Sequence, residues 1–432
     1  MTLIRYIWAI ILMSIMLLPG SCGNRTRKPN ILLILADDVG REMFSSYGGS
    51  SYHTPNIDGL ASKSMRFEHF YAAPVCHPAR ITLMTGRYPF RFGDPVWGSF
   101  PEHAEDQTFA HELKNAGYVT AVAGKWQLCM MKNEPDHPHR LGFDEYCLFG
   151  WHEGPRYHNP LIWQNGDIRQ DVADQYGPDV YSDFLIDFMK RNRKRPFLAY
   201  YPMALIHDVS DDFNPPPPFG PEGRYENVKE MSVQMDRVVG KMLQALEDLG
   251  LADNTLVIFT TDNGTNHTSI LGHEDGEFFE ERVYSMINGE EVPGGKTKIT
   301  DWGIRVPTFI RWPGIIQEGS VCHDLIDFSD FLPTFIDLLD LPPSAYEIDG
   351  QSFAGILTGE EHDSRDWVYS EKAGMDYAVR SKDWKLLPDG KLFDLRSDIH
   401  EKNPIMPAED TPASAAARAS LDAIMAELRG NE

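Results

Sequence analysis

Cysteine is scarce in this chain: five in 432 residues, at positions 22, 76, 129, 147 and 322, with no C-x-x-C pair among them. That pattern gives no support to a zinc ribbon or a thioredoxin-like redox motif, and it is too sparse for a cystine framework. Positive charge is also short. Lys and Arg number 40 against 64 Asp and Glu, a formal net charge of −24, which argues against nucleic acid as a partner because its phosphates would be repelled. An anionic small substrate is not excluded, since a local cluster of cations can reverse the sign at one site. Internal repeats and low-complexity blocks are absent. Long apolar runs are missing as well, apart from one at the N-terminus.

That run, Tyr6 to Leu18, follows Arg5 and precedes Pro19-Gly20-Ser21-Cys22. It reads as a secretory signal over residues 1–22, too short to span a bilayer as a stable helix. A small pair before cysteine resembles a bacterial lipoprotein cleavage site, with Pro19 where leucine is usual. Two routes stay open: lipid attached to Cys22, or ordinary signal cleavage. The expectation is an exported protein, periplasmic or held at the outer membrane of a bacterium.

What is present points to a large folded α/β chain: 42% hydrophobic residues and 9 Trp in total. Short, nearly all-apolar runs at Ile31–Leu35, Val119–Ala123, Phe197–Tyr201, Leu256–Thr260 and Thr308–Trp312 are expected to be strands covered on both faces. Helical spacing marks Phe109–Ala116, Val180–Lys190, Val228–Leu249 and Phe328–Leu339 between them, which suggests βαβ units. Asn214 to Pro218 is a stiff loop. Beyond about residue 362 the pattern changes to short segments at 367–369, 377–380, 384–387 and 391–394, expected to form a small antiparallel sheet. A helix over Ser414–Leu428, capped by Ser414, would close it. The division expected is thus 1–22, a catalytic domain over 23–362 and a C-terminal subdomain over 363–432.

In open parallel sheets, ligands bind beyond the carboxyl ends of strands. Here the first strand runs into Asp37-Asp38, the second candidate into Lys125, the third is followed by His207, and the fourth runs into Asp262-Asn263. Asp37, Asp38, Asp262 and Asn263 offer only oxygen, the preference of a hard cation such as Ca²⁺ or Mg²⁺ rather than zinc. Either pair alone would be read as a turn. Two such pairs, each ending an apolar strand, favour a metal.

The most specific stretch is Cys76-His77-Pro78-Ala79-Arg80, continued by Leu83, Thr85, Gly86 and Arg87. It resembles the signature of the sulfatase family. Thr54-Pro55-Asn56-Ile57-Asp58, Gly124-Lys125-Trp126, Thr261-Asp262-Asn263-Gly264, Gly295-Lys296, Gly303-Ile304-Arg305-Val306-Pro307 and Leu392-Phe393-Asp394-Leu395 follow in family order. The resemblance implies an alkaline-phosphatase-like fold, a central mixed sheet sandwiched by helices with a small C-terminal antiparallel sheet plus helix. It also implies a formylglycine made from Cys76 by a maturation enzyme, and one Ca²⁺ held by Asp37, Asp38, Asp262, Asn263 and the modified Cys76. Arg80 would position the hydrated aldehyde, Lys125 and Lys296 would bind sulfate oxygens, and His207 would protonate the leaving alcohol. The expected substrate is a sulfated sugar, for which Trp151, Tyr157, Trp163 and Trp302 are candidate stacking residues or simply packed aromatics.

Two departures from the family pattern stand out. Gln127 occupies a position where histidine is common. Its amide can hydrogen-bond the diol but cannot take a proton, so the base for sulfate elimination is unassigned, with His77 and His267 as weak candidates. Asp301-Trp302 replaces a frequent Glu-Gly. Two rivals therefore remain at this stage: a phosphoester or phosphonate hydrolase of the same fold, and a non-catalytic sulfated-glycan binding protein.

Overall fold

The computed structural model describes residues 28–208, 227–274, 277–372 and 376–430. The expected signal segment, Cys22 and the Asn214–Pro218 loop lie outside them. The centre is a ten-stranded sheet. In spatial order its strands are Val321–Asp327, Met65–Tyr71, Phe309–Arg311, Thr255–Thr261, Asn30–Ala36, Phe197–Pro202, Val119–Trp126, Glu145–Gly150, Trp163–Gln164 and Asp167–Ile168.

The five strands from Thr255–Thr261 to Glu145–Gly150 run parallel. Phe309–Arg311 lies antiparallel to both its neighbours, so Met65–Tyr71 is restored to the common direction and ends on the same edge as the others. The Thr308–Trp312 segment is thus a strand, as expected from its composition, but one that reverses the sheet.

The strands form because both faces are covered. Along Asn30–Ala36, Leu32, Ile34 and Ala36 enter one buried cluster while Ile31, Leu33 and Leu35 enter another, the period-two alternation of a strand. Helices Gly177–Asn192 and Val228–Asp248 cover the first face, and Cys76–Thr85, Phe109–Asn115 and Phe331–Leu338 cover the second. Each such Leu or Ile, all but inaccessible here, contributes about 1.5–3 kcal/mol by leaving water. No helix among the described residues is long and apolar enough to cross a membrane.

The C-terminal segments form a four-stranded antiparallel sheet, Val368–Lys372, Asp376–Arg380, Trp384–Leu386 and Leu392–Asp394. The closing helix spans Pro412–Arg429. Its cap is Thr411 rather than Ser414: the Thr411 hydroxyl accepts from the Ser414 amide, and the Ser414 side chain accepts from the Thr411 amide in return. Pro412 favours that start, because its fixed φ suits the first helical position.

A buried ionic knot ties this sheet to the short helix Asp301–Ile304, just ahead of the central strand Phe309–Arg311. Arg380 donates twice to Asp301 at 2.8 and 2.6 Å, Lys385 bonds both Glu401 oxygens at 2.9 Å, and the Asp301 amide donates to Glu401 at 2.7 Å. Arg380 and Lys385 hold Asp301 ionised against the burial that would otherwise push its carboxyl up. Removing one partner of a buried pair leaves the other charge uncompensated. Asp301→Asn is therefore expected to destabilise the protein by about 3–5 kcal/mol, read as a lower urea midpoint. Lys391→Ala, which breaks an exposed pair with Asp389, should shift stability by no more than ~1 kcal/mol.

Candidate active site

The carboxyl edge of the sheet gathers the residues singled out above. The Asn30–Ala36 strand delivers Asp37 and Asp38, and the Thr255–Thr261 strand beside it delivers Asp262 and Asn263; all four are buried. The Asp262 amide donates to Ala36 O at 3.1 Å, and the Asp38 amide reaches the Asp262 carboxylate at 3.3 Å. Asp38 sits at φ 61°, a left-handed conformation that Asp tolerates better than most residues and that recurs at functional sites.

Cys76 is the first residue of the Cys76–Thr85 helix and is completely buried. Pro78, in the first turn, forfeits only an N–H that has no helical partner anyway. Arg80 lies one turn on, on the same helix face. It donates to Asp262 through Nε at 3.2 Å and Nη2 at 2.7 Å, and stands 3.8 Å from Asp37.

Lys125 lies within the Val119–Trp126 strand rather than after it, and donates to Asp37 at 2.5 Å. Gly124 makes this possible. Its φ is +121°, and a Cβ there would sit 2.0 Å from the Pro202 carbonyl oxygen, so no other residue allows the two strands to approach so closely. Lys296 comes from a loop pinned by its own amide to Thr265 O at 3.0 Å and by the Thr297 amide to Pro74 O at 2.8 Å, and its Nζ reaches Asp38 at 2.5 Å.

His207 is placed by backbone bonding. The Met203 amide donates to Leu35 O, the Asp37 amide to Leu205 O and the Ile206 amide to Asp37 O, all at 2.8–2.9 Å. The Tyr157 hydroxyl holds Ala204 O and His207 O at 2.7 and 2.8 Å. The ring's Nδ1 faces Asp208 O at 2.5 Å; a carbonyl only accepts, so the proton belongs on Nδ1. Nε2 is left 3.9 Å from Asp38.

The electrostatics divide the acids. Burial would raise the Asp37 carboxyl, but Lys125, with help from His207, Arg80 and Lys296, holds it well below the usual range. Burial and the neighbouring Asp37 push Asp262 up to about 7 despite Arg80. Burial raises the Cys76 thiol, so as a thiol it stays protonated and is a poor nucleophile. Burial, then Lys296 and Lys125, depress His207 well below an ordinary histidine, leaving the imidazole neutral.

The donor set fits a hard cation. Asp37 Oδ1 and Asn263 Oδ1 are buried without a hydrogen-bond donor. Ligand atoms of Asp37, Cys76 and Asp262 lie within 4.8 Å of one another, and so do those of Asp37, Asp38 and His207. The Asn263 Nδ2 is spent on Asp38 Oδ1 and Gly264 O, both at 2.8 Å, which leaves its carbonyl oxygen as the acceptor without a partner. Carboxylate and amide oxygens in one buried cluster match the chemistry of Ca²⁺.

Some residues fall elsewhere. His77 is no free base: Nε2 lies 2.8 Å from Ser99 O, and burial lowers its pKa to about 4. His267 is exposed. Trp163 donates to Glu153, Trp302 stacks on His400 and donates to it, and Tyr157 is fully buried. Both amide atoms of Gln127 are buried without a partner. Sequence reasoning missed Arg156, a buried residue whose Nη1 lies 3.5 Å from His207 Nδ1. It also missed Trp97. Neither carries a motif signal; only their position after folding reveals them.

Comparison with known proteins identifies the family. The sulfatase family model matches residues 29–341, and a model of the N-sulphoglucosamine sulphohydrolase C-terminal region matches 295–430. The N-acetylgalactosamine-6-sulfatase of Canis lupus familiaris is 31% identical over 386 residues, covering 81% of this chain and 70% of that protein. The chain spans about two thirds of the length of such curated mammalian relatives. Among solved structures, Ps i-CgsB superposes with a TM-score of 0.74 at 26% identity, covering 93% of each chain. The phosphonate monoester hydrolase of Agrobacterium radiobacter, at 18% identity and a TM-score of 0.63 over 93% of this chain and 96% of that one, shares the alkaline-phosphatase-like fold. Because the sulfatase model matches residues 29–341, the stretch that contains both acidic pairs, the Cys76 signature and both lysines, the chain belongs to the sulfatase family of sulfuric ester hydrolases.

Proposed function

We propose that this protein removes sulfate from a sulfated sugar through a formylglycine at position 76, with one Ca²⁺ in the acidic cluster. One observation carries the reading: Cys76 lies fully buried beside Asp37 and Asp262, with Lys125, Lys296 and Arg80 paired to the same acids. A buried thiol among carboxylates is a poor ligand for a hard cation and, held protonated, a poor nucleophile. Once Cys76 is converted by a maturation enzyme, the hydrated aldehyde supplies a nucleophile for sulfur and a route of collapse that expels sulfate, which a thiol or hydroxyl lacks. The cation, held by Asp37, Asp38, Asp262, Asn263 and position 76, would supply positive charge opposite a sulfate oxygen.

The remaining work belongs to side chains already in place. Lys125 and Lys296 neutralise the ester's other oxygens as charge develops in the transition state. Arg80 holds Asp262 and fixes the geometry around position 76. Gln127, with an amide that has no other partner, donates to the diol. His207 keeps its Nδ1 proton on Asp208 O, so Nε2 is the atom that delivers a proton to the departing sugar oxygen. Burial, with Lys296 and Lys125, keeps the imidazole neutral in the substrate-free site; the sulfate ester's negative charge works against the two lysines, so Nε2 takes up a proton from solvent as substrate binds and passes it to the departing oxygen. The sugar is suggested by the N-acetylgalactosamine-6-sulfatase relatives and by the aromatic residues around the pocket. The expected location is outside the cytoplasm, with lipid on Cys22 as a membrane tether. The binding-only alternative needs no aldehyde and no proton donor, and the Cys76 signature with a single acidic cluster favours sulfate over a phosphonate ester.

Peptide mass spectrometry of protein made with a maturation enzyme should show the Cys76 thiol replaced by an aldehyde or its hydrate. Full desulfating activity from protein whose Cys76 remains a thiol would sink the proposal. Chelation, or Asp262→Ala, should abolish turnover, with elemental analysis showing one calcium per chain lost; an absolute requirement for zinc would contradict the ligand assignment. His207→Ala should cut kcat on a sugar sulfate by about 10²–10⁴-fold, the usual scale of general-acid catalysis. An activated aryl sulfate, with a better leaving group, should lose much less. Equal losses on both would remove His207 from the acid role.

A further inference from the structure

The loop after the signature helix leads to an aromatic surface that the desulfation chemistry does not use. Val96 to Ser99 form a turn: the Ser99 amide and hydroxyl both bond Val96 O, at 3.1 and 2.7 Å. Gly98 supplies the left-handed residue such a turn requires, at φ +75°. Trp97 is thereby thrown to the outside, 45% exposed, with Val96 73% exposed beside it.

This large apolar side chain is nevertheless held in place from within. The buried His77 ring stacks on it at 5.8 Å with 21° between planes, while His77 Nε2 bonds Ser99 O at 2.8 Å and fixes the loop. Trp97 also meets Trp151, 5.7 Å between centroids at a tilt of 36°, and still leaves 45% of its surface open to solvent. Trp151 in turn stands edge-on to His207 at 5.5 Å, and the Lys125 ammonium lies 4.9 Å over its ring. A continuous aromatic wall therefore runs from solvent to the two groups assigned to sulfate binding and proton delivery.

We propose that Trp97 and Trp151 form a platform for the ring that carries the sulfate, and that His77 positions Trp97; this rests on the sulfated-sugar reading above. The electron-rich face of an indole suits the C–H face of a pyranose. A ring stacked on Trp97 lies one indole away from Lys125 and His207, so its ester group is delivered to the pocket in a fixed orientation. In a chain with a net charge of −24, an uncharged contact of this kind attracts the sugar without adding to the repulsion of its sulfate.

The platform touches the ring and not the sulfate, and that distinction provides the test. With a panel of monosulfated hexoses and hexosamines that includes N-acetylgalactosamine 6-sulfate, Trp97→Ala should raise KM about tenfold and leave kcat within about twofold, the scale of one lost aromatic contact. Competitive inhibition by inorganic sulfate should be unchanged. Trp97→Phe should recover most of the affinity. His77→Ala should raise KM as well, with no further rise when combined with Trp97→Ala. An unaltered KM in Trp97→Ala, or a parallel loss of inorganic sulfate inhibition, would overturn the platform. Calorimetric binding of the same sugars to Cys76→Ser protein, with and without Trp97→Ala, reads it independently of turnover: weaker binding in the double variant supports it, and equal or absent binding in both refutes it. Absence of desulfation by the matured wild-type protein, with that binding difference intact, would count against the sulfatase chemistry and not against the platform.

Discussion

The structure depends on a balance of buried charge. Asp37, Asp38 and Asp262 lie at the ends of adjacent strands with almost no access to water, and each is met by a cation from a different part of the chain: Lys125 from a strand, Lys296 from a loop and Arg80 from a helix. Ions of one sign so deeply buried would be expelled or neutralised; as opposed pairs they stay. The chain must therefore fold as a whole for any one of these groups to be tolerable. The same constraint produces a pocket rich in fixed positive charge within a strongly acidic protein, which is what an anionic ester needs.

Geometry around the pocket is set by backbone more than by side chains. His207 is reached through three main-chain bonds to the neighbourhood of Asp37, and Lys296 through its own amide and that of Thr297. Such placement is indifferent to the identity of many loop residues. A family can therefore vary its rim while keeping the sulfate site constant. Gln127 fits this view. It is fully enclosed, yet its amide atoms are without partners, so its contribution to the pocket is a donor and an acceptor with no proton-transfer option.

Much of this was legible in the sequence, and for a physical reason. Strands buried on both faces need nearly unbroken apolar runs, so Ile31–Leu35 and Leu256–Thr260 declare themselves, and the acids that follow each run are marked by position. Direction is different: nothing in Thr308–Trp312 signals that it pairs antiparallel, because pairing is decided by neighbours distant in sequence. The helix cap was missed by three residues because Thr411 and Ser414 are both good caps, and only the reciprocal bond between them shows which one begins the helix. Trp97 was overlooked because an aromatic in a Gly-Asp-Pro loop has no period or motif; its meaning comes from His77 below and Trp151 beside it. Of the four aromatics picked from sequence, Trp151 alone joins the wall, since Tyr157 is buried against the His207 loop and Trp163 and Trp302 face other partners.

The burial of Cys76 bears on the order of events in the life of the chain. In the finished molecule its side chain is fully buried beside the strand-end acids Asp37 and Asp262, and the Lys296 loop bonds Pro74 just upstream through the Thr297 amide. The short helix that follows that loop begins at Asp301, which Arg380 of the C-terminal sheet grips. A second protein has no approach to a side chain enclosed in this way. If Cys76 is altered by an enzyme, as proposed above, that alteration belongs to the time before this burial is complete, and a chain that folded first would be locked with an unaltered thiol.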